Sequence, residues 1–486
     1  MGKSKIKPKE LHFLKSKGDF DISAICREVN IILRSQRVTK GELLQYISDA
    51  VETPESIATD NRFKTLIRYL QPKNDIFTDD LKGNNVYGDF SLHKPLSYNI
   101  YGADGIEPGA IEQMENAMSL PIALAGALMA DAHEGYGLPI GGVLATTGNV
   151  VIPYAVGVDI ACRMCMSVFP IKPDIIRTKS EKLSQILCRT TIFGVGSKNK
   201  NHLNTSLFDR KEWSSTKVIK RFRDLAFSQL GTSGGGNHFV EWGELRITSE
   251  NSLLGLEPGN YLALLSHSGS RGFGSEIALH YSKLAMEKVK LPGKARYLAW
   301  LDLNSQEGQE YWLAMNLAGD YASANHHEIH AKVARELNEH PLKMIENHHN
   351  FAWAETLPDG RKAIVHRKGA TPAHPNSLGI IPGSMVHPAF IVKGKGNAAS
   401  LSSASHGAGR RMSRSKAMQS FTQSDLKFVL DKWGVELIGG GLDEVPMAYK
   451  DIETVMGYQS DLVEVLAKFF PKIVRMANPE RKHRWE

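Results

Sequence analysis

The stretch Tyr261-Leu262-Ala263-Leu264-Leu265-Ser266-His267-Ser268-Gly269-Ser270-Arg271-Gly272 joins an apolar run to a polar loop. The five apolar residues at its start predict a buried β-strand. The loop gathers one histidine with hydroxyls, glycines and an arginine, a composition that suits anion binding. A strand that runs directly into such a loop is a rigid mount for a ligand. The stretch therefore predicts a domain built on a sheet, with its chemistry at a strand end.

Three other segments also place a candidate ligand or nucleophile beside glycine: Gly157-Val158-Asp159-Ile160-Ala161-Cys162, Gly236-Asn237-His238 and Ser405-His406-Gly407-Ala408-Gly409-Arg410. A hydrophobic core has no use for this pattern. Imidazole, thiolate and carboxylate together suit soft-to-borderline divalent metals, and glycine lets backbone N–H groups close around an oxyanion. The four segments together predict phosphate chemistry on a metal centre.

The order of elements predicts the fold class. From about residue 96 short apolar runs alternate with Gly-rich turns and medium helices, which is typical of a mixed α/β or α+β domain. Val150 to Ile152 predicts a further buried strand, and Pro108 suits the first position of a helix. Because no internal repeat or low-complexity linker divides residues 96–486, we predict one large catalytic domain there.

Residues 1–95 predict an N-terminal helical extension. Asp21 can cap a helix whose apolar residues recur at helical spacing, Ile22, Ile25, Val29 and Ile32. Thr39 and Glu42 have the spacing of a capping box at the start of a second helix. We assign this region no chemistry.

Composition indicates which kind of partner the protein binds and in which cellular compartment it is found. The chain has 486 residues, a net charge of +7 and an isoelectric point near 9.0, which favours an anionic partner such as nucleic acid. Only four cysteines occur and no apolar signal peptide opens the sequence, so we expect a reducing cytoplasm. No run approaches the ~18 uninterrupted apolar residues that a membrane helix requires, and we expect no membrane partner.

The cysteine turn and the histidine-rich segments leave alternatives open. Asp159 and Cys162 can aim a carboxylate and a bridging thiolate at neighbouring metal positions, but Cys162-x-x-Cys165 also fits half of a zinc site or a redox pair. The segment Glu346-Asn347-His348-His349-Asn350 is expected at or near a helix or its end, and its two histidines are equally suited chemically to bind a metal. Further histidines offer the same ligand type: His326, His327 and His330.

Two more segments predict phosphate or base contacts, and one predicts a nucleophile. Val365-His366-Arg367-Lys368-Gly369-Ala370-Thr371 and Ile381-Pro382-Gly383-Ser384-Met385 place cations or small polar residues at turns, although a solvated basic turn would have the same composition. His406 has no metal-type neighbour. Its neutral imidazole can attack phosphorus while Arg410 stabilises the charge on the phosphoryl oxygens.

In this order, the segments resemble the RtcB family of GTP-dependent RNA ligases from about residue 100 to about residue 460. A further segment, Asp131-Ala132-His133-Glu134-Gly135-Tyr136-Gly137-Leu138-Pro139-Ile140-Gly141-Gly142, also carries the likeness. The resemblance implies two Mn²⁺ ions held by Asp159, Cys162, His238, His267 and His349, the last chosen because His-Asn is the family's dipeptide. It implies that His406 is guanylylated, that Asp131 and Arg410 are catalytic, and that Glu241 lies near guanine. The predicted nucleotide-binding set comprises Asn237, Glu241, His366, Arg367, Lys368, Ser384, Gly407, Ala408, Gly409 and Arg410.

The implied reaction joins an RNA 3′-phosphate, or a 2′,3′-cyclic phosphate after opening, to a 5′-hydroxyl end, with GTP as co-substrate. RNA and GTP are the expected partners, together with an accessory activator. Rival hypotheses are a dinuclear-metal phosphoesterase acting on RNA ends, and a catalytically degenerate protein that binds or senses damaged RNA. The chain departs from the family where its cysteine turn reads Asp-Ile-Ala-Cys-Arg-Met-Cys and where the terminal Lys-Gly is missing; Arg475 or a cation of the tail is the expected substitute.

Overall fold

The structure is a computed structural model that describes residues 5–16, 22–35, 38–52, 66 and 86–478. The chain divides into two compact units, residues 1–79 and 80–486. The domain boundary predicted between residues 95 and 96 stays a prediction.

The smaller unit is helical in the part that the structure describes. It contains a 3-10 helix, Pro8–Ser16, and two α-helices, α1 (Ile22–Ser35) and α2 (Lys40–Glu52). The predicted capping box is confirmed at the start of α2, since Thr39 N donates to Glu42 Oε2 at 2.7 Å and Glu42 N donates to Thr39 Oγ1 at 3.2 Å. Of the predicted apolar face of α1, Ile25, Val29 and Ile32 are buried and Ile22 is partly buried. The predicted cap, Asp21, lies outside the described residues.

The larger unit mixes helices and strands. Its α-helices are α3 (Pro108–Met118), α4 (Pro153–Val156), α5 (Ile175–Thr178), α6 (Ser180–Thr190), α7 (Lys217–Gln229), α8 (Arg271–Lys288), α9 (Gln306–Leu337), α10 (Arg414–Ser420), α11 (Gln423–Trp433) and α12 (Ile452–Gly457). Its 3-10 helices are Ala103–Gly105, Ser206–Asp209, Lys211–Ser214, Gly293–Leu298, Ala398–Ser400, Leu442–Glu444 and Pro446–Ala448. The mixed α/β class predicted from the sequence is confirmed, as is the helix that begins at Pro108.

The strands of this unit are β1 (Gly88–Asp89), β2 (Asn99–Ile100), β3 (Ala123–His133), β4 (Ile140–Thr147), β5 (Val150–Val151), β6 (Arg163–Phe169), β7 (Phe239–Ile247), β8 (Gly259–Ser268), β9 (Val289–Lys290), β10 (Leu301–Asp302), β11 (Lys343–His348), β12 (Asn350–Thr356), β13 (Lys362–Lys368), β14 (Ala370–Pro372), β15 (Leu378–Ile381), β16 (Ala389–Gly394), β17 (Ser403–Ser405), β18 (Glu436–Ile438) and β19 (Val463–Met476). Both buried strands predicted from the sequence are present, in β5 and β8.

Two sheets position the site. The larger sheet has the order β11-β6-β8-β7-β19-β16-β15, with β18 paired to β19, and the second has the order β12-β13-β4-β3-β2. Short pairs of strands complete the topology, β1 with β9, β5 with β10 and β14 with β17.

The larger sheet is buried on both faces around β8. Leu262 and Leu264 pack in the cluster that contains Ile329 of α9, whereas Ala263 and Leu265 belong to a separate apolar cluster. Strand residues alternate between faces, so a run of apolar residues without alternation is what two covered faces require. This alternation continues to the end of β8 and decides which side chains enter the site.

One element was predicted wrongly. His348 ends strand β11 and Asn350 begins strand β12, so His349 lies between two strands and not at a helix end. Within the part of the chain that the structure describes, none of the helices is long and apolar enough to cross a membrane.

Candidate functional site

Four neighbouring strands of the larger sheet each deliver one predicted metal ligand to the same edge. Cys162 directly precedes β6, His238 directly precedes β7, His267 lies at the end of β8 and His349 directly follows β11. The strands are antiparallel neighbours in the order β11-β6-β8-β7, so the starts of β6 and β7 lie beside the ends of β8 and β11. Pairing therefore gathers residues that are up to 187 positions apart in sequence, from 162 to 349.

The gathered side chains are in contact. Cys162 Sγ lies 3.1 Å from His267 Nε2 and 3.5 Å from His238 Nε2. His267 Nε2 lies 3.3 Å from His349 Nε2, and His238 Nε2 lies 3.1 Å from Asp159 Oδ2. The structure thus brings together all five residues predicted to hold metal, and Cys162, His238 and His267 form a buried group whose ligand atoms could hold one ion.

The hydrogen bonds around the histidines orient their lone pairs. His238 Nδ1 lies 2.6 Å from the carbonyl oxygen of Ser233, and His267 Nδ1 lies 3.1 Å from that of Asn237. A carbonyl only accepts, so both Nδ1 atoms carry the proton. His267 Nε2 therefore presents its lone pair to the thiol, whereas His238 Nε2 faces the Asp159 carboxylate, which also only accepts.

Lone pairs that converge in this way fit a cation. His349 adds a second indication, because its Nδ1 is buried and has no hydrogen-bond partner among the described residues. A buried polar atom without a partner is costly, and a cation bound at Nδ1 itself would remove that cost. The donor set of imidazole, thiolate and carboxylate is one that borderline divalent metals accept.

Burial and neighbouring charges shift the pKa values of these side chains. Burial, together with the neighbouring His238, lowers the pKa of His267 to about 3, so its imidazole is neutral and able to coordinate. Burial alone would raise the pKa of Asp159, but the hydrogen bond and charge of His238 and the nearby Arg271 lower it to about 2. Burial and Asp159 raise the pKa of the Cys162 thiol, and a cation would favour the thiolate instead.

His406 stands next to this cluster. Its ring centroid lies 4.8 Å from that of His349, and its Nδ1 lies 2.6 Å from Asp131 Oδ2. The same oxygen accepts from the backbone N–H groups of His406 at 3.1 Å and Gly407 at 3.3 Å. Gly409 has φ +72, and a Cβ there would lie 2.0 Å from the carbonyl oxygen of Asp131, so the loop requires glycine for this approach.

Asp131 is fully buried yet suited to stay ionised. Burial raises the pKa of its carboxyl, but the charge and hydrogen bond of His406, with further help from Lys450, lower it below the ordinary value. A carboxylate that accepts from Nδ1 fixes the tautomer of His406 and leaves the lone pair on Nε2.

The cluster and His406 open on one cavity of about 750 Å³. Most of the predicted nucleotide-binding residues line it: Asn237, Glu241, Lys368, Ser384, Gly407, Ala408, Gly409 and Arg410. Burial raises the pKa of Glu241 well above its ordinary value and lowers that of Lys368 to about 7. The cavity also has an apolar wall that no local sequence pattern predicted, formed by Phe239, Met385, Met412, Val474 and Met476.

Two predicted nucleotide contacts do not reach the cavity, and this prediction is corrected. His366 is fully buried in the second sheet, where its Nε2 accepts from Ile152 N at 2.9 Å. Arg367 is also fully buried and pairs with Glu355, with Nη1 and Oε1 2.6 Å apart. Because both side chains are buried against other parts of the fold, Lys368 is the cation of this segment that reaches the cavity.

Arg410 lines the cavity but is held by a residue that sequence reasoning missed. Glu444 is buried and accepts from Arg410 Nη1 at 2.8 Å and from Arg414 Nε at 2.8 Å. Arg414 lines the same cavity and has a half-exposed side chain. Arg414 could have been recognised from the sequence, because it lies only four residues after Arg410. Glu444 lies 34 residues beyond Arg410 and has no local sequence signal.

Two cations at the departures from the family pattern, Arg163 and Arg475, do not line the cavity. Arg163 pairs with Glu346 at 2.9 Å, and Arg475 donates to the carbonyl oxygen of Leu187. Arg475 therefore does not supply the substitute cation that the sequence analysis expected, and the chain beyond residue 478 lies outside the described residues.

Cys165 does not join the ligands around Cys162. It lies in a second buried group with His326 and His330, on the other side of β6 and β8. Ser266 Oγ lies 2.7 Å from His326 Nδ1 and 2.7 Å from His330 Nε2, so hydrogen bonds already occupy these nitrogens. His327 instead lies on the half-exposed side of α9, 3.5 Å from Glu346.

The fold and the site define a mixed α/β protein with a buried histidine–cysteine group able to hold metal. Residues 113–477 match the family model described as "tRNA-splicing ligase RtcB". The chain therefore belongs to the RtcB family of RNA ligases.

Curated relatives agree with the family match. The chain is 32% identical over 392 residues to "RNA-splicing ligase RtcB" of Escherichia coli (strain K12), an alignment that covers 74% of this chain and 92% of the relative. It is 31% identical over 448 residues to "tRNA-splicing ligase RtcB" of Nanoarchaeum equitans, covering 77% and 94%. It is 30% identical over 442 residues to the protein of the same name from Methanococcus maripaludis, covering 76% and 89%.

Proposed function

We propose that the protein joins an RNA 3′-phosphate end, or a 2′,3′-cyclic phosphate after opening, to a 5′-hydroxyl end, with GTP as co-substrate. The observation that carries this proposal is the position of His406, 4.8 Å from His349 by ring centroids and 2.6 Å from the Asp131 carboxylate. A metal-dependent phosphoesterase needs the ligand cluster but does not need a further histidine outside that cluster, held by a carboxylate as His406 is. The names of the relatives, which are RNA-splicing and tRNA-splicing ligases, support ligation.

We propose that two Mn²⁺ ions are held by Asp159, Cys162, His238, His267 and His349. The convergence of lone pairs and the orphaned His349 Nδ1 support this assignment. When bound, the ions would supply Lewis acidity and a template for phosphate oxygens.

In the first step His406 is the nucleophile. Its Nε2 lone pair attacks the α-phosphorus of GTP, an N–P bond forms, and the bond to the β-phosphate oxygen breaks so that pyrophosphate leaves. Asp131 holds the Nδ1 proton and stabilises the positive charge that the imidazole gains. Arg410 and Arg414, aligned by Glu444, are proposed to face the phosphate oxygens.

The next two steps transfer and release GMP. An oxygen of the RNA 3′-phosphate attacks the phosphorus on His406, and the N–P bond breaks to restore the imidazole. The 5′-hydroxyl then attacks the 3′-phosphorus, loses its proton and expels GMP. Lys368, which lines the cavity and whose pKa is lowered to about 7 by burial, is proposed to contact the phosphates.

Glu241 is proposed to read the guanine base. Its carboxyl is buried on the cavity wall beside Phe239, and burial raises its pKa well above the ordinary value. Asn237 and Ser384 line the same cavity and can donate to a nucleotide. We further propose that residues 96–486 form the catalytic domain, that residues 1–95 form an appended extension, and that the protein acts in the cytoplasm with an accessory activator.

Incubation with α-labelled GTP and Mn²⁺ tests the mechanism. We expect acid-labile label on the protein, and its complete loss in His406→Ala. With an RNA that bears 3′-phosphate and 5′-hydroxyl ends we expect a joined product. Label that survives His406→Ala would reject the nucleophile, and turnover of RNA ends without any labelled protein would favour the phosphoesterase. Inactivity on all such ends would favour a degenerate RNA-binding protein.

A further inference from the structure

Tyr136 presents an exposed aromatic ring on a loop whose backbone is held in place. Its side chain lines the cavity and the residue is 66% exposed. Before it, Glu134 N donates to Glu107 Oε1 at 2.7 Å and Gly135 N donates to Gln113 Oε1 at 3.0 Å. Lys368 Nζ donates to the carbonyl oxygen of Tyr136 itself. Because the loop is anchored, the exposure of this ring is a fixed property of the cavity mouth.

Two further tyrosines back this ring. The Tyr136 and Tyr297 rings meet edge to face with centroids 5.8 Å apart, and Tyr154 meets Tyr297 in the same manner at 5.4 Å. Tyr154 also lines the cavity. Gly137 holds the loop against this group, since a Cβ at that position would lie 3.0 Å from the carbonyl oxygen of Tyr297. The guanidinium of Arg296 lies 4.8 Å from the Tyr297 ring centroid and covers it on the outside.

The aromatic group is connected to the reacting centre. Lys368 contacts the Tyr136 carbonyl, and the next residue, Gly369, is so close to the nucleophile that a Cβ there would lie 3.2 Å from His406 Cε1. Glu107 and Glu134 also line the cavity, and the hydrogen bond from Glu134 N to Glu107 Oε1 places both residues beside the Tyr136 loop. Carboxylates repel phosphate, so the cavity beside this loop suits an uncharged, flat group, while the phosphate is better placed toward Lys368.

We propose that Tyr136 and Tyr154, backed by Tyr297, form a stacking platform for an unpaired nucleobase at a reacting RNA end. The proposal rests on the proposed function, which requires RNA ends in this cavity. Single-stranded RNA is commonly bound by stacking unpaired bases on aromatic side chains. Such stacking tolerates any base, which suits an enzyme that accepts ends of differing sequence, and it requires that the end be unpaired.

Binding of RNA probes to the whole protein tests the platform. Fluorescence anisotropy in the presence of Mn²⁺ and without GTP measures the affinity for each RNA. The intact probe is a labelled single-stranded RNA with a 3′-phosphate. Two matched probes lack one base each, that of the first nucleotide in one and that of the last nucleotide in the other. For wild-type protein we expect one of the two abasic probes to bind about 5- to 150-fold more weakly than the intact RNA. Tyr136→Ala should weaken binding of the intact RNA by a similar factor and should abolish the difference between the probes.

Control variants separate stacking from folding. Tyr136→Phe and Tyr136→Trp keep a flat ring and should retain the preference for the intact end. Phe428→Ala removes another exposed aromatic ring, 70% exposed on α11 and outside the cavity lining, and should bind all probes as wild type does. Equal binding of all three probes by wild-type protein, or an abasic penalty that persists in Tyr136→Ala, would overturn the platform.

The labelled-GTP assay on wild-type protein separates this proposal from the ligase mechanism. Absence of a protein–GMP adduct, together with an abasic penalty that depends on Tyr136, would reject ligation and keep the platform. An adduct and joined RNA without any abasic penalty would keep ligation and reject the platform.

Discussion

His406 and Asp131 are joined through a single oxygen, since Asp131 Oδ2 lies 2.6 Å from His406 Nδ1 and accepts from the backbone N–H of the same residue at 3.1 Å. Asp131 therefore fixes both the ring and the main chain of its partner. The residues are 275 positions apart and lie on different elements, the strand β3 and the loop after β17. The reactivity of His406 depends on how these two elements pack.

We expect Asp131→Asn to slow label transfer from GTP to His406 on the order of 10²- to 10⁴-fold, because an amide oxygen stabilises the charged imidazole less than a carboxylate does. The measurement is the initial rate of acid-labile protein labelling at saturating Mn²⁺. Metal content, measured by mass spectrometry of the desalted protein, should be unchanged. Labelling near the wild-type rate would show that Asp131 has no part in activating the nucleophile.

Cys162→Ala should remove bound Mn²⁺ and labelling together, because the thiol lies at the centre of the ligand cluster. Cys165→Ala is the matched control: it is the same substitution three residues further on, equally buried, but in the group with His326 and His330. We expect this control to keep its metal. Full occupancy in Cys162→Ala, or metal loss in Cys165→Ala alone, would contradict the assignment of the site.

The stability of the metal-free protein should depend on pH through Lys368. Burial lowers the pKa of its amine from 10.5 to about 7 in the folded protein, whereas the unfolded chain keeps the proton up to the ordinary value. Between these pH values the unfolded state binds more protons, so this group contributes stability that rises with pH from about 7. Below pH 7 the folded protein holds the Lys368 amine in its charged form, so the full free-energy cost of burying that charge lowers the stability.

Lys368→Met removes this contribution. Thermal unfolding in chelator from pH 6 to pH 9 should show wild type gaining stability relative to Lys368→Met as the pH rises. A constant difference between the two proteins over this range would mean that the amine is not perturbed.

Glu444→Ala should destabilise the fold by about 3–5 kcal/mol, because it leaves the Arg410 guanidinium, whose side chain is only 14% exposed, without its buried partner. Urea unfolding gives the free energy. Glu453→Ala provides the comparison, since its ion pair with Lys468 is at the surface and is expected to contribute about 0–1 kcal/mol. Equal effects of the two substitutions would show that Glu444 does not compensate a buried charge.

Local signals made part of this molecule predictable. The apolar run before His267, the capping box at Thr39 and the proline at residue 108 each determine structure through neighbouring residues, and each prediction was confirmed. The candidate ligands were recognisable because histidine and cysteine beside glycine are poor core residues. The choice of His349 over its neighbour His348, however, rested only on the family resemblance.

The remaining features depend on contacts between distant segments. His366 and Arg367 resembled a basic turn, but β13 is packed on both sides and buries them. Glu444 carries no motif, and its importance follows from two arginines that fold onto it. The position of His349 between two strands could not be predicted, because the polar residues around it are equally suited to a helix end and to a turn.

The hydrogen bonds of β8 determine which chemistry the protein has. Ser266 and Ser268 face α9, and His267 between them faces the ligand cluster. A shift of this strand by one residue would exchange the histidine for a serine while leaving an apolar run in a buried position. The shift is opposed on both sides, because His267 is paired with Met164 of β6 and with Phe239 of β7. A single-residue insertion directly before His267 would turn the imidazole toward α9 while the apolar run of β8 keeps its pairing, and we expect it to abolish metal binding in a protein that still folds.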